Sequence, residues 1–279
     1  MENSLGVRFL YGTIVGRGLL KVIQRCRLDK IAVSFLWSPL SRHIIGWYIR
    51  RNQIPMEDYK TEKYGSFRDF FVREKKVIQI DPAPGHLISP CDGWLSAYPI
   101  REDSSFFIKG SHYRLSDLLQ DPLLGKRYYG GNCLIFRLCA SDYHHYCYID
   151  DGAQGQHHYI DGQLHSVQPI ACETYPVYTL NRRVWSMLVT DHFGPVIQVE
   201  IGALIVGGIF NERSSGQFRK GAEKGHFELA GSTIVLLFQR GRIGLLPQIE
   251  AALADGREVR VTQGMWIGTQ TPILKAGNE

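Results

Sequence analysis

No Cys-x-x-Cys pair occurs among the six cysteines (Cys26, Cys91, Cys133, Cys139, Cys147 and Cys172), so neither a zinc ribbon nor a dithiol redox site is expected. Also missing are an apolar run long enough to cross a bilayer, an internal repeat and a low-complexity linker. The Met1 end has no charged start followed by an unbroken apolar core and a small-residue cleavage site, so no signal peptide is expected. These absences exclude a polytopic membrane protein and leave reduced thiols in a cytoplasmic setting as the expectation. Acid is scarce at one end only. Residues 1–51 hold nine Lys and Arg against two acids, whereas the remainder holds 23 against 25. A basic head on a near-neutral body calls for an anionic partner at the head.

What is present is enough chain, at 279 residues, for one large or two small domains with a substantial core. Val7, Leu10, Tyr11, Ile14, Val15, Leu19, Val22 and Ile23 recur at helical spacing, which predicts a helix over 7–25. Its charges and glycines argue against a membrane span. Two further apolar runs, Ile31–Trp37 and Ile44–Ile49, lie near basic residues. The pattern fits helices lying on an anionic bilayer with Trp37, Trp47 and Tyr48 at headgroup level, although helices that merely cap a core would look similar. Residues 62–76 suit a helix with Ser66 as N-cap and Asp69 three residues on. Beyond residue 87, short strands are expected at Trp94–Tyr98, Cys133–Leu138, Tyr146–Ile149, Val196–Glu200, Ala203–Ile209, Thr233–Phe238 and Val259–Val261. The fold class is α+β, with N-terminal membrane-facing helices packed on a mainly antiparallel β body.

Four segments carry chemistry. Ser89-Pro90-Cys91-Asp92-Gly93 is a turn signal with a carboxylate in it. Ser141-Asp142-Tyr143-His144-His145-Tyr146-Cys147-Tyr148 concentrates imidazoles, a thiol and phenols after an apolar strand, and imidazoles exchange protons near neutral pH. The segment Ile201–Ile209 reads as plain core with close backbone approach at its glycines. Finally, the charged, Gly-punctuated stretch Lys220–Glu228 precedes Gly231-Ser232-Thr233, which runs into Ile234-Val235-Leu236-Leu237-Phe238. Gly-Ser-Thr is common in turns. Yet a Gly-Ser bond held in a strained turn can cut itself when the Ser hydroxyl attacks the preceding carbonyl. The ester so formed is expelled on loss of the Ser α-proton, and the dehydroalanine left behind hydrolyses to a pyruvoyl group.

Together these segments resemble the phosphatidylserine decarboxylase family. The resemblance rests on Tyr64-x-Ser66-Phe67-x-Asp69-Phe70-Phe71, Ser89-Pro90-x-Asp92-Gly93, Asp142-Tyr143-His144, Gly202-Ala203 through Val206-Gly207, Lys220-Gly221-x-Glu223-x-Gly225-x-Phe227 and Gly231-Ser232-Thr233, in that order. It implies a proenzyme cut between Gly231 and Ser232 into pieces 1–231 and 232–279, with a covalent pyruvoyl cofactor derived from Ser232 and no metal. It further implies a carboxy-lyase that turns phosphatidylserine into phosphatidylethanolamine and carbon dioxide, using the pyruvoyl ketone as an electron sink. Residues 1–60 would be a basic, membrane-associating helical region and 61–279 the catalytic domain. The expected setting is peripheral, on the cytoplasmic face of an anionic membrane holding the substrate, with no nucleic-acid partner and with a homodimer left open.

In the family an Asp and a His activate the Ser, much as in a serine-protease triad. The Asp falls on Asp92. The family's Asp-Tyr-His-x-x-His segment puts its first His on His144, a candidate for orienting the substrate carboxylate or delivering a proton. The second His, the usual base, falls on Cys147. Three readings follow: His165 supplies the imidazole from a neighbouring strand, His145 does so, or cleavage needs no His at that point. His165 is preferred, because a Ser proton needs an acceptor that is neutral near pH 7, and a thiol in apolar surroundings stays protonated. Two other functions remain open on these residues: a pyruvoyl-dependent decarboxylase of a soluble amino acid, and an uncleaved, non-catalytic lipid-binding homologue.

Overall fold

The computed structural model describes residues 5–25, 28–61, 63–101, 103, 105–108, 111–203, 208–229 and 232–271. The helix expected over 7–25 forms as two, α1 (Leu5–Gly12) and α2 (Ile14–Arg25). The break falls at Thr13, whose hydroxyl donates to the Phe9 carbonyl and accepts from the Gly16 N–H, both at 2.9 Å, in place of regular helix bonds. Gly16 permits the close turn, since a Cβ there would lie 2.0 Å from the Phe9 oxygen. The two other basic-flanked runs lie within α3 (Leu28–Trp37) and α4 (Arg42–Asn52). No described helix is long and apolar enough to cross a membrane.

The helix expected over 62–76 is much shorter, α5 (Phe67–Phe71); Glu62 lies outside the described residues. Its start is as expected: Ser66 Oγ accepts from the Asp69 N–H at 3.2 Å. Its early end has a tertiary cause. Residues 74–76 pair instead with 58–60, through Lys60 N–H to Glu74 O (2.9 Å) and Lys76 N–H to Asp58 O (2.8 Å). Phe67, Phe70 and Phe71 are buried against Ile45, Tyr59, Tyr143 and Leu229.

The body is a nine-stranded sheet whose pairings are all antiparallel. Its centre runs Arg183–Thr190, Gly194–Ile201, Ser232–Phe238, Asn132–Leu138 and Gly93–Pro99. Successive side chains alternate between two cores. Val235 and Leu237 join Ile135, Ile197 and Val199 on one face, together with Tyr11 and Leu20 of the N-terminal helices. Ile234, Leu236 and Phe238 join Leu134, Phe136 and Val196 on the other. Burial on both faces is why Ile234–Phe238 is apolar throughout rather than alternating. A second sheet of Gly208–Asn211, Glu223–Glu228 and His145–Cys147 contributes Tyr146, Cys147 and Phe227 to that second core. The expected strand at 203–209 is described only at its ends, because 204–207, including Val206 and Gly207, lie outside the described residues. The α+β reading holds.

Candidate active site

Ser232 opens the strand Ser232–Phe238 and is 1 % exposed. Its Oγ lies 3.2 Å from His144 Nδ1. The other ring nitrogen, Nε2, lies 3.0 Å from the Cys139 carbonyl oxygen. A carbonyl only accepts, so Nε2 carries the proton and Nδ1 offers its lone pair to the Ser232 hydroxyl. The imidazole is fully buried and stacks on Phe71, ring centroids 4.1 Å apart. Burial, with the Arg73 charge nearby, pushes its pKa down to about 3. His144 is therefore neutral at pH 7 and aimed at Ser232.

The segment bearing His144 is held from both sides. Arg73, over the Tyr59 and Phe70 rings, donates to the carbonyls of Ser141 (2.8 Å) and Asp142 (3.2 Å). Arg260 grips the Asp142 carboxylate through two nitrogens at 2.7 and 3.1 Å, a bidentate pair. Asp142 Oδ2 also accepts from the Cys139 N–H at 2.7 Å, which fixes the turn whose carbonyl meets His144.

The chain approaching Ser232 is strained. Leu229 has φ +49, the left-handed region, at a cost of about 1–2 kcal/mol for a residue with a Cβ. Its side chain is 1 % exposed, packed in the cluster containing Phe71 and Tyr143, and that packing holds the conformation. Gly231, the expected cleavage partner, and Ala230 lie outside the described residues.

Asp92 does not reach His144. Its Oδ2 accepts from Lys75 Nζ at 2.7 Å and its Oδ1 from the Gln263 N–H at 2.9 Å. Gly93 beside it lets two strands close up, since a Cβ there would lie 2.8 Å from the Arg137 oxygen. Cys147 packs behind the same turn, its N–H donating to Pro90 O at 2.8 Å. Burial pushes its thiol up to about 12, so it stays protonated. His165, preferred from sequence as the base, lies elsewhere: its Nε2 meets Gln163 Oε1 at 2.8 Å, its ring stacks on Tyr175, and no hydrogen bond joins it to Ser232 among the described residues. His145 is also engaged away from Ser232, with Nδ1 2.6 Å from Glu223 Oε1 and Nε2 3.2 Å from Val72 O. A cavity of about 440 Å³ lined by Tyr148, Asp151, Arg213, Phe218 and Arg219 includes none of Asp92, His144 and Ser232.

Lys75, Arg73 and Arg260 were not singled out from sequence. Glu74-Lys75-Lys76 falls at the end of the helix expected over 62–76, and Asp142 and Arg260 are 118 residues apart, with no local signal to join them.

The low pKa of His144 predicts acid sensitivity. Unfolded, the imidazole titrates near 6.5; folded, near 3. Between those values the unfolded chain binds one more proton, so the stability present above pH 6.5 is lost as pH falls, by about 1.4 kcal/mol per unit. On an uncut Ser232→Ala background, denaturant midpoints at pH 7, 6 and 5 should fall accordingly. His144→Gln should flatten the slope by that amount, and an unchanged slope would refute the assignment.

Comparisons with known proteins identify the family of the chain. The family model for phosphatidylserine decarboxylase matches residues 67–267. The chain is 43 % identical over 267 residues to phosphatidylserine decarboxylase proenzyme 2 of Clostridium acetobutylicum, covering 94 % of this chain and 91 % of that protein. It is 36 % identical over 279 residues to the phosphatidylserine decarboxylase proenzyme of Ruminiclostridium cellulolyticum, covering 96 % and 93 %. The corresponding Clostridium perfringens proenzyme is 34 % identical over 279 residues, covering 96 % and 95 %. The chain belongs to the phosphatidylserine decarboxylase family.

Proposed function

We propose that this chain is a proenzyme that cuts itself between Gly231 and Ser232 and then decarboxylates phosphatidylserine to phosphatidylethanolamine. The observation that carries the reading is the 3.2 Å contact between a buried, neutral His144 Nδ1 and Ser232 Oγ. His144, rather than His165, takes the hydroxyl proton as the oxygen attacks the Gly231 carbonyl. The acyl group moves from nitrogen to oxygen, giving an ester. Loss of the Ser232 α-proton then breaks the Cβ–O bond, releasing residues 1–231 with a free carboxylate. The dehydroalanine remaining at 232 takes up water, loses ammonia and becomes the pyruvoyl end of residues 232–279. Leu229 helps by holding the approach to the scissile bond in a conformation that is costly elsewhere.

The buried Ser232 position beside a fixed imidazole fits the pyruvoyl group, which would supply an electrophilic ketone and electron sink for decarboxylation. Once the Ser232 oxygen has left with residues 1–231, His144 Nδ1 faces the reacting end and can hold or deliver a proton there. Asp92 acts at a distance from this nitrogen, fixing Lys75 and the Gln263 backbone around the turn that backs the site.

Residues 1–60 serve as the membrane-associating region and 61–279 as the catalytic domain, at the cytoplasmic face. Ile14, Val15, Val22, Ile31, Leu40 and Trp47 all expose more than half of their surface. Arg8, Lys21, Lys30, Arg50 and Arg51 are exposed beside them. Apolar side chains with interspersed cations suit an anionic bilayer. In vesicle co-sedimentation, Ile31→Ser with Trp47→Ser should weaken binding at least about tenfold, since losing two buried apolar groups costs roughly 1.5 kcal/mol or more. Unchanged binding would place the contact elsewhere.

The function is tested by incubating purified protein with phosphatidylserine vesicles and, separately, with free amino acids, and measuring carbon dioxide. Release from the vesicles alone is expected. Release from a free amino acid would mark a soluble-substrate enzyme, and an uncut chain with no release would mark a non-catalytic relative.

A further inference from the structure

His145, Glu223 and His226 gather beside the active site, with ligand-capable atoms all within 4.8 Å of one another. Local geometry creates the cluster. His226 pairs directly with His145 across two antiparallel strands. Residues three apart on a regular strand face opposite sides, so Glu223 would normally point away from His226. The register slips between Glu223 and Gly225, and this irregularity turns Glu223 back to the histidine side.

The hydrogen bonding around His145 is incomplete with protein groups alone. Nε2 faces the Val72 carbonyl at 3.2 Å, which makes that nitrogen the donor. Nδ1 then presents a lone pair, yet the group facing it at 2.6 Å is a carboxylate oxygen, another acceptor. Two acceptors in contact need a proton on one of them or a metal ion between them. The third member favours the metal. His226 Nδ1 is buried, has no hydrogen-bond partner among the described residues, and lies 4.0 Å from the same Glu223 oxygen.

We propose that His145, Glu223 and His226 form a binding site for a divalent transition-metal ion of the zinc type. Two imidazoles and one carboxylate, with a fourth position open to solvent, are a recurrent zinc donor set. Bonds of about 2.0–2.2 Å place tetrahedral ligands roughly 3.3 Å apart, so the 2.6 Å contact must open and the 4.0 Å one close. Glu223 has the freedom to make that adjustment, since its side chain is 43 % exposed, and this exposure also gives the ion its entry. The Val72 carbonyl on Nε2 is the outer contact that orients a metal-bound imidazole. Of the three ligands only Glu223 belongs to the pattern shared with the family; His145 and His226 stand at its open positions. The ion would clip the strand His145–Cys147, which follows His144, to the strand Glu223–Glu228, which leads towards Ser232. Its role is to position, and it takes no part in the reaction steps above.

The test is metal analysis of the full-length protein, followed by titration of chelator-treated protein with Zn²⁺ and with Co²⁺. About one equivalent per chain is expected, with visible Co²⁺ bands of a low-coordinate site and a higher Tm on Zn²⁺ addition. His226→Ala and Glu223→Gln should each weaken binding at least about tenfold, as loss of a ligand costs no less than loss of an outer contact. They should also abolish the Tm rise. His226→Gln, which keeps a polar side chain of similar size, guards against a variant that fails to fold. The proposal is overturned if no stoichiometric ion binds, or if binding survives in the His145→Ala, His226→Ala double variant, which would place the metal on the thiols.

Discussion

Ser232→Ala protein should stay whole at 31.7 kDa, whereas the unaltered chain should separate into two pieces, the smaller about 5 kDa and blocked at its amino end. No other group replaces the attacking oxygen, so the loss is complete. The informative comparison is between His144→Ala and His165→Ala. A positioned base contributes about 10²–10⁴-fold, so His144→Ala should slow the appearance of the small piece by at least 100-fold. His165→Ala should process at nearly the normal rate, because its ring is spent on Gln163 and Tyr175 rather than on Ser232. Intact mass against time after synthesis in a cell-free system reads both. Slow processing in His165→Ala with normal processing in His144→Ala would restore the assignment favoured by sequence alone.

That contrast shows where sequence reading succeeds and where it stops. Four of the five central strands were legible because apolar runs bounded by turn residues have few other ways to be buried; Arg183–Thr190, which carries Arg183 and Ser186 into the sheet, was not expected. Ser66 was legible as a cap because capping is local in sequence, and the bond to Asp69 is present. The end of α5 was not legible, because a backbone pairing with residues 58–60 stops it. The same limit applies to the site. Ser232, His144 and Asp92 were found by ordered motifs, yet motifs do not say which side chains touch. Asp92 answers Lys75, not a histidine, and the triad logic presumes a His–Asp contact that His144 replaces with the Cys139 carbonyl. The irregularity that turns Glu223 towards His145 leaves no mark in composition or periodicity.

A buried pair, with one member in the charged stretch Lys220–Glu228 and the other at the end of the expected strand Val196–Glu200, yields the second large effect. Lys224 and Glu200 are fully buried, with Nζ 2.7 Å from Oε1, and Asn211 accepts a second bond from Nζ at 2.9 Å. Burial pushes the Lys224 pKa down while Glu200 opposes the shift, so the ammonium depends on its partner. Lys224→Met should therefore destabilise the protein by about 3–5 kcal/mol, because the carboxylate is left buried without its counter-charge. Glu200→Leu should cost a similar amount by stranding the ammonium. Taking two charges out of water is itself expensive, so the Glu200→Leu, Lys224→Met double variant should regain most of the loss or exceed the starting stability. Guanidinium denaturation on a Ser232→Ala background reads these values from a single uncut chain, as a two-state analysis requires. Additive losses in the double variant would show that the two side chains do not interact. The pair also bears on the site. Glu200 lies opposite Ile234 on the sheet, so Ser232 is the next residue along the same face. Lys224 reaches that face from the strand Glu223–Glu228. If the stable double variant still cuts itself at the normal rate, the charges serve the fold alone. If it is stable but slow to cut, the ion pair sets the register of that strand over Ser232, and the cost of burying it is met by the geometry it imposes on the scissile turn.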